Sequence, residues 1–451
     1  MSILGYLKQN SRVLNFVDQS IYESLNENVW TFLIGKNGSG KSNLLRGIVI
    51  DSLKKSKFKK VIAISNTQHH KFPFEIDLYN NKELDVKKYH FLAFQNDLYF
   101  YSFSKDKINE LNYEESGLYD RYNLLDPYSF KTFLAQEHIL LKSHYNIKPS
   151  FNNYLYIDNI VLNIKNIKNI YYKILEVLNF INLDEYIEIK TEINLYEESL
   201  ERLKNALSRE YYYHKNNDYR EKINAILSNL ENVHKIQKFS LLDLSEELIL
   251  NISILLRLKL IRIREINFQR EKNLINSTNL SSGEKSVLSI MFSLISNLEE
   301  NSIICIDEPE INLHPEWQEK IIKLIELTST NYCDCHFFIA THSPQLLSGI
   351  KTNNSFILDL STNELKKSLL IKNKSTDFQL SEVFNFPGNN NEYLIRKLIV
   401  ILNKINNEDD SYLDNENINL LNHLKKLIEE KKIDKDDKVS ILFDLIKSYG
   451  V

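Results

Sequence analysis

The chain has 451 residues, about three times the length of an average single domain, so it holds several domains or one core with large insertions. Charged residues make up 26% and hydrophobic residues 43%, and 25 Tyr and 23 Phe supply enough apolar surface to exclude disorder as the dominant state. The net charge of -4 excludes a globally basic nucleic-acid binder but leaves room for a local basic patch.

The first part of the chain predicts alternating strands and helices. Residues 28–34 form an apolar run that predicts a buried strand, and residues 41–53 carry apolar side chains at helical spacing. Two further buried strands are predicted at 61–65 and 89–94.

A long insertion follows, in which strand signals fade and helical periodicity dominates from about residue 95 to residue 262. Apolar residues recur at helical spacing in 189–207 and 223–233, on either side of a polar break. This pattern predicts a helical hairpin and fits a short coiled-coil finger.

The second half returns to an alternating pattern. It predicts a strand at 265–270, a helix at 286–298, buried strands at 302–307 and 335–341, and a strand at 355–360 that closes the sheet. The predicted fold is an α/β core built from two sequence-distant lobes. The predicted domains are lobe one at 1–94, a helical insertion at 95–262, lobe two at 263–372 and a helical C-terminal region at 373–451.

A cytoplasmic protein is expected from three sequence features. No stretch approaches the roughly 18 consecutive apolar residues that would span a membrane. The first residues lack the pattern of a secretory signal. The 3 cysteines do not form a disulfide framework and fit a reducing compartment.

A phosphate-binding loop is the most specific motif. The segment Gly35–Ser42 reads G-K-N-G-S-G-K-S, fits G-x-x-x-x-G-K-[ST], and lies between a predicted strand and a predicted helix. Backbone N–H groups of such a loop cradle phosphates, Lys41 reaches the β- and γ-phosphates, and the Ser42 hydroxyl binds Mg²⁺. The predicted nucleotide-binding residues are Gly35, Asn37, Gly38, Ser39, Gly40, Lys41 and Ser42.

A second motif, Leu280–Lys285, reads L-S-S-G-E-K and resembles the signature sequence of ABC-type ATPases. In that interpretation Ser281 and Gly283 present a hydroxyl, backbone N–H groups and the positive end of a helix to a γ-phosphate. Taken alone, the segment also reads as a helix capping box, with Glu284 three residues after Ser281.

Two further motifs each follow a predicted buried strand. Asp307 and Glu308 end the apolar run 302–307, as in the Walker B pattern, where the aspartate holds Mg²⁺ and the glutamate deprotonates the attacking water. His342 follows the next strand and resembles the switch histidine that contacts the γ-phosphate. Glu308 and His342 are therefore the predicted catalytic residues.

Together, these motifs resemble the ABC-type ATPases of the SMC, RecF and OLD-like class, often called AAA family ATPases. The segment IDEPEINLHPEWQ at 306–318 resembles the OLD-related branch, and FQLSEVFNFPGNNNEYL at 378–394 is similar to ATPases of two-gene anti-phage systems such as Septu, PARIS and retrons. The resemblance implies ATP and Mg²⁺ as cofactors, a homodimer or higher oligomer formed through the ATPase heads, and a separately encoded effector nuclease.

The sequence departs from that pattern at two places. The signature contains Ser-Ser-Gly instead of Ser-Gly-Gly. The glutamine that completes the metal site in such ATPases is not obvious, and Gln68 is the first choice, with Gln95 and Gln136 as alternatives.

Three functional hypotheses remain open at the level of sequence. The first is a defence switch that controls an effector, the second is a RecF- or SMC-like DNA-repair ATPase that binds DNA directly, and the third is a regulatory scaffold with little turnover. The lysine-rich run Lys54–Lys60 reads either as a solvated helix end or as a DNA-phosphate contact. No nuclease motif is recognisable in the sequence. The acidic pair Asp434 and Asp436 is interpreted as a solvated helix cap.

Overall fold

The computed structural model describes residues 3–9 and 12–18, residues 27–93 without 68, 69, 75–77, 79, 80 and 82, residues 167–193 and 238–244, isolated positions between 205 and 252, and residues 261–449 without 351, 353, 369–373 and 408–413. The strands in this part of the chain are β1 (Tyr6–Gln9), β2 (Arg12–Asn15), β3 (Val29–Ile34), β4 (Lys60–Ser65), β5 (Tyr89–Ala93), β6 (Ile187–Ile193), β7 (Lys238–Ser240), β8 (Ile261–Arg270), β9 (Asn273–Asn276), β10 (Ser302–Asp307), β11 (His336–Ala340), β12 (Ser355–Asp359) and β13 (Glu364–Lys367). The main helices are α1 (Lys41–Lys54), α2 (Ile167–Phe180), α3 (Ser282–Asn297), α4 (Pro315–Ser329), α5 (Pro344–Ser348), α6 (Glu392–Asn406), α7 (Asn415–Glu429) and α8 (Lys438–Ser448).

A central sheet of seven strands, counted over the described residues, has the order β13-β12-β3-β11-β10-β4-β5. All neighbours are parallel except β13, which pairs antiparallel with β12. The prediction that 355–360 closes the sheet is therefore wrong, because β13 adds an edge strand. Three of its four residues are exposed, so it lacks the apolar run that identifies a buried strand.

Helices cover both faces of the central sheet. Trp30, Phe32 and Ile34 alternate along β3 and pack in the hydrophobic cluster that contains the apolar residues of α3 and α4. Leu33 points the other way, into the cluster formed with α1. A parallel sheet buried on both faces needs apolar residues on each side of its strands, which explains the continuous apolar runs in the sequence.

Strand register brings the carboxyl ends of three strands together. Asp307 at the end of β10 lies opposite Ala340 at the end of β11, and Ala340 lies opposite Leu33 near the end of β3. The loops that follow these strands therefore start at one edge of the sheet, which is where open α/β sheets bind ligands.

A second, antiparallel sheet with the order β7-β6-β8-β9 corrects the helical interpretation of 189–207. The first five residues of the segment 189–207 belong to strand β6, and β6 pairs with β8 along its full length. Ile187, Ile189 and Thr191 alternate at strand spacing, and pairing with a strand about 70 residues away overrides the local helical pattern. The predicted coiled-coil finger lies outside the described residues, apart from isolated positions.

The C-terminal region is helical, as predicted. Helices α6, α7 and α8 share a hydrophobic cluster of their own, which includes Leu398, Leu424 and Phe443. Among the described residues, no helix has the length and apolar character that a membrane span requires.

Candidate nucleotide site

The loop between β3 and α1 has the backbone of a phosphate-binding loop. Gly40 caps α1 in the left-handed region, with φ 96°, which side chains other than glycine rarely adopt. Gly35 has φ 147°, and a Cβ there would lie 2.7 Å from Ser39 Oγ. The glycines are thus required by the geometry of the loop, as the motif predicts.

Lys41 lies inside this loop and is only 5% exposed. Its Nζ donates hydrogen bonds to the carbonyl oxygens of Gly35 at 3.0 Å and Lys36 at 3.5 Å. Burial lowers the pKa of Lys41, and the nearby carboxylates of Glu308 and Asp307 oppose that shift. A bound triphosphate would favour the charged ammonium in the same way.

Ser42 and Asp307 form a pair of oxygen donors beside the lysine. The Ser42 side chain hydrogen-bonds to Asp307, which is 3% exposed. Asp307 Oδ1 is buried and has no hydrogen-bond partner among the residues that the structure describes. Burial raises the pKa of Asp307 to about 6, although the Ser42 hydrogen bond opposes the shift.

These two residues fit Mg²⁺, which prefers hard oxygen ligands and keeps several positions for water and phosphate. The orphaned carboxylate oxygen of Asp307 is the observation that supports this fit. Among the described residues no cluster of three His, Cys, Asp or Glu side chains could hold a metal by itself. Mg²⁺ in nucleotide sites is commonly held by one or two side chains together with substrate phosphates and water.

Glu308 and His342 face each other above the same edge of the sheet. Glu308 has φ 50°, a left-handed conformation that is strained for a residue with a side chain, and its N–H donates to the Ala340 carbonyl at 2.9 Å. His342 Nε2 lies 3.7 Å from Glu308 Oε1. Burial lowers the pKa of His342, the Lys41 charge lowers it further, and Glu308 opposes both.

The signature segment forms the N-terminus of α3. Ser281 Oγ accepts a hydrogen bond from Glu284 N at 3.3 Å, and Glu284 Oε2 accepts from Ser281 N at 2.7 Å and Ser281 Oγ at 2.8 Å. The capping box is therefore formed, and Arg270 pairs with the other carboxylate oxygen of Glu284. A Cβ at Gly283 would lie 2.9 Å from the Asn312 carbonyl oxygen, so glycine lets α3 pack closely on that loop.

The lysine-rich run ends α1 and begins β4, and its charges are already partnered. Lys54 pairs with Glu83, Lys59 with Glu300 and Lys60 with Glu299, while Lys55 pairs with Asp51 one helical turn earlier. Lys57 donates to the Ile3 carbonyl at 2.8 Å. These contacts are those expected of a solvated helix end, and exposed ion pairs of this kind are weak.

The predicted metal ligand Gln68 and its alternatives Gln95 and Gln136 lie outside the described residues.

Glu310 lies at this candidate site and was not among the residues predicted from the motifs. It is 8% exposed, and its Oε1 accepts hydrogen bonds from Thr341 Oγ1 and His342 N, both at 2.7 Å. Burial raises the pKa of Glu310 to about 7, and hydrogen bonds from the Thr341 side chain, from the His342 backbone and from its own backbone N–H oppose the shift. The sequence signal was the third carboxylate of D-E-P-E, which is indistinguishable from an exposed acidic turn without the fold.

A family match decides the class of protein. Residues 30–348 match the family described as "AAA domain, putative AbiEii toxin, Type IV TA system". The chain belongs to this family of AAA-domain ATPases. This membership confirms the resemblance to ATPases that the four motifs indicate. It also confirms the α/β fold predicted from the alternating strands and helices.

Partial relatives carry names from retrons. The chain is 33% identical over 90 residues to "Retron Ec83 probable ATPase" of Escherichia coli, which is 18% of this chain and 16% of that protein. It is 31% identical over 96 residues to "Retron Vc95 probable ATPase" of Vibrio cholerae serotype O1 biovar El Tor, which is 19% of this chain and 18% of that protein. The chain thus matches less than a fifth of the length of these curated relatives.

A solved structure with a broad but loose match is the Smc head domain from Pyrococcus furiosus, with an extended coiled coil and bound to the C-terminal domain of ScpA. The match has a TM-score of 0.30 and 12% identity, and covers 75% of this chain and 89% of that chain.

Proposed function

We propose that this AAA-domain ATPase binds ATP with Mg²⁺ in the loop Gly35–Ser42 and hydrolyses it with Glu308 as the general base. The observation that carries the proposal is the convergence of three strand ends. Lys41, the Ser42–Asp307 pair and the Glu308–His342 pair come together at one edge of the sheet.

Each group has a distinct role in this proposal. The loop N–H groups and Lys41 bind the phosphates, and Ser42 and Asp307 hold Mg²⁺. When bound, Mg²⁺ neutralises charge on the phosphate oxygens. Glu308 Oε1 takes the proton of the attacking water, and the imidazole of His342 orients the reacting groups by hydrogen bonding.

We further propose that the site is completed by the signature segment of a second copy. Ser281 and Gly283 lie at the N-terminus of the 16-residue helix α3, where the helix dipole favours an anion, although the capping box already uses the N–H groups of Ser281 and Glu284. Two copies paired head to tail would each supply this helix end to the ATP of the other. ATP would then select the paired state, and hydrolysis would remove that preference.

The substitution Ser281→Arg tests the pairing. We expect ATP binding by one subunit to remain and turnover to be lost, because the arginine would fill the space that the partner's γ-phosphate must enter. Equilibrium binding of labelled ATP and phosphate release are the two measurements. Thr330→Arg is the matched control, since Thr330 is exposed at the far end of α4. Full turnover by Ser281→Arg would leave the segment with a capping role alone.

The biological role we propose is a switch in anti-phage defence, in which the ATP state controls a separately encoded effector nuclease. The family description and the retron names of the two relatives support this proposal.

Co-purification with the product of the adjacent gene tests the defence role. We expect a complex whose stability differs between ATP and ADP in the wild type, and no such difference in Lys41→Ala. Nucleotide-independent DNA binding with no co-purifying protein would instead favour the DNA-repair alternative.

A further inference from the structure

Glu310 connects the loop after β10 to the loop after β11. Its carboxylate is more than nine-tenths buried, and one oxygen, Oε1, accepts both the hydroxyl of Thr341 and the backbone N–H of His342 at 2.7 Å. Hydrogen bonds to a carboxylate are short and strong when both partners are shielded from water. The backbone of His342 is thus held by a side chain from the neighbouring strand end.

Thr341 strengthens this connection from the other side. Its N–H donates to the Leu33 carbonyl at 3.1 Å, which continues the sheet by one residue. Its Oγ1 accepts from Ser343 N at 2.9 Å while donating to Glu310. The residues on both sides of His342 are therefore fixed through one hydroxyl and one carboxylate.

A second bridge joins the same two loops and leaves His342 untouched. Ser343 Oγ donates to Gln318 Oε1 at 2.7 Å, and Gln318 Nε2 donates to the Leu313 carbonyl at 3.0 Å. The loops can therefore remain packed together without Glu310. Loss of Glu310 would chiefly free the backbone at His342.

We propose that Glu310 is a positioning residue for ATP hydrolysis, which holds His342 in place opposite Glu308 and acts on the reaction only through that histidine. The inference rests on the proposed function. Among the described residues the other oxygen of Glu310, Oε2, is buried with no hydrogen-bond partner. An unpaired buried oxygen costs free energy, and an apolar residue at this position would avoid that cost. The carboxylate of Glu310 offsets this cost by accepting the two hydrogen bonds from Thr341 and His342.

The experiment compares Glu310→Ala, Glu310→Gln and the control Glu316→Ala, an exposed glutamate on α4. We expect Glu310→Ala to lower kcat by about 10- to 100-fold, the scale of a misplaced catalytic group, with the Kd of ATP unchanged within about 2-fold. Glu310→Gln keeps an acceptor oxygen at Oε1 and is expected to restore most of kcat. Glu316→Ala is expected to match the wild type in both constants.

A double-mutant cycle separates positioning from general stability. If Glu310 acts through His342, adding Glu310→Ala to His342→Ala lowers kcat by less than about 2-fold, because the group being positioned is already absent. Multiplicative losses would overturn the inference. If Glu310→Ala does not fold, Thr341→Val removes one of the two donors and is expected to show the same non-additivity with His342→Ala.

The failures of the two proposals are distinguishable. A wild-type protein that binds ATP but releases no phosphate contradicts the proposed function. If the wild type releases phosphate and Glu310→Ala releases it at the same rate, the result contradicts the positioning role of Glu310 and leaves the proposed function intact.

Discussion

Lys41→Ala is expected to weaken ATP binding by about 100-fold or more. The ammonium lies within the glycine-rich loop, donates to the Gly35 carbonyl at 3.0 Å, and faces the space that the phosphates would fill. Each charge-assisted hydrogen bond to a phosphate contributes about 1.5–3 kcal/mol, so loss of two such bonds accounts for the expected change. Equilibrium binding of labelled ATP measures it directly.

Lys36→Ala is the matched control for this prediction. Lys36 is an exposed lysine in the same loop, and its carbonyl oxygen, which accepts from Lys41 Nζ, is retained in the variant. We expect its affinity for ATP to stay within a few-fold of the wild type. Wild-type affinity in Lys41→Ala, with an unchanged far-UV circular dichroism spectrum, would contradict the assignment of this loop as the phosphate site.

Glu308→Gln is expected to retain ATP binding and slow hydrolysis by about 10²–10⁴-fold, the scale of losing a general base. Glutamine has nearly the same shape, but its neutral amide cannot take a proton from water. The variant should therefore accumulate ATP-bound, paired copies. Single-turnover phosphate release measures the rate, and size-exclusion chromatography with and without ATP measures the pairing.

Glu316→Gln is the control for a carboxylate removed from the same part of the chain. Glu316 is exposed and forms an ion pair with Lys320 one turn along α4, so both rate and pairing are expected to be unchanged. Near wild-type turnover in Glu308→Gln would contradict the role of Glu308 as general base. Another carboxylate at this edge of the sheet would then have to take the proton.

The parts of the site that could be predicted are those encoded in short contiguous segments. The loop Gly35–Ser42 needs glycines at positive φ, and this chain has only 10 glycines, so their clustering was informative. Asp307 and Glu308 follow a short, β-branched apolar run of the kind that predicts a buried strand. Parallel strands place their carboxyl ends on one edge, which is why separate motifs could be predicted to meet.

The parts that could not be predicted depend on pairing between distant residues. The segment Ile189–Ile193 carries apolar residues compatible with a helix, and only pairing with β8 makes it a strand. Glu310 looks like any residue of an acidic turn until the Thr341 hydroxyl and His342 N–H lie against it. Ser281 fits a capping box and a signature equally well, and the structure of one copy forms the cap.

The most direct test of the paired-head account mixes Lys41→Ala with Ser281→Arg and measures phosphate release. Each variant alone is expected to be inactive. In a mixed pair both defects fall in one site, and the other site combines an intact Lys41 with an intact Ser281 from the partner copy. A site shared between copies predicts that ATPase activity reappears in the mixture. Each mixed pair has one intact site of two, so its activity is expected to reach up to about half that of a wild-type pair. Mass spectrometry establishes that mixed pairs have formed. If the mixture is still inactive under those conditions, the result would contradict a site shared between copies.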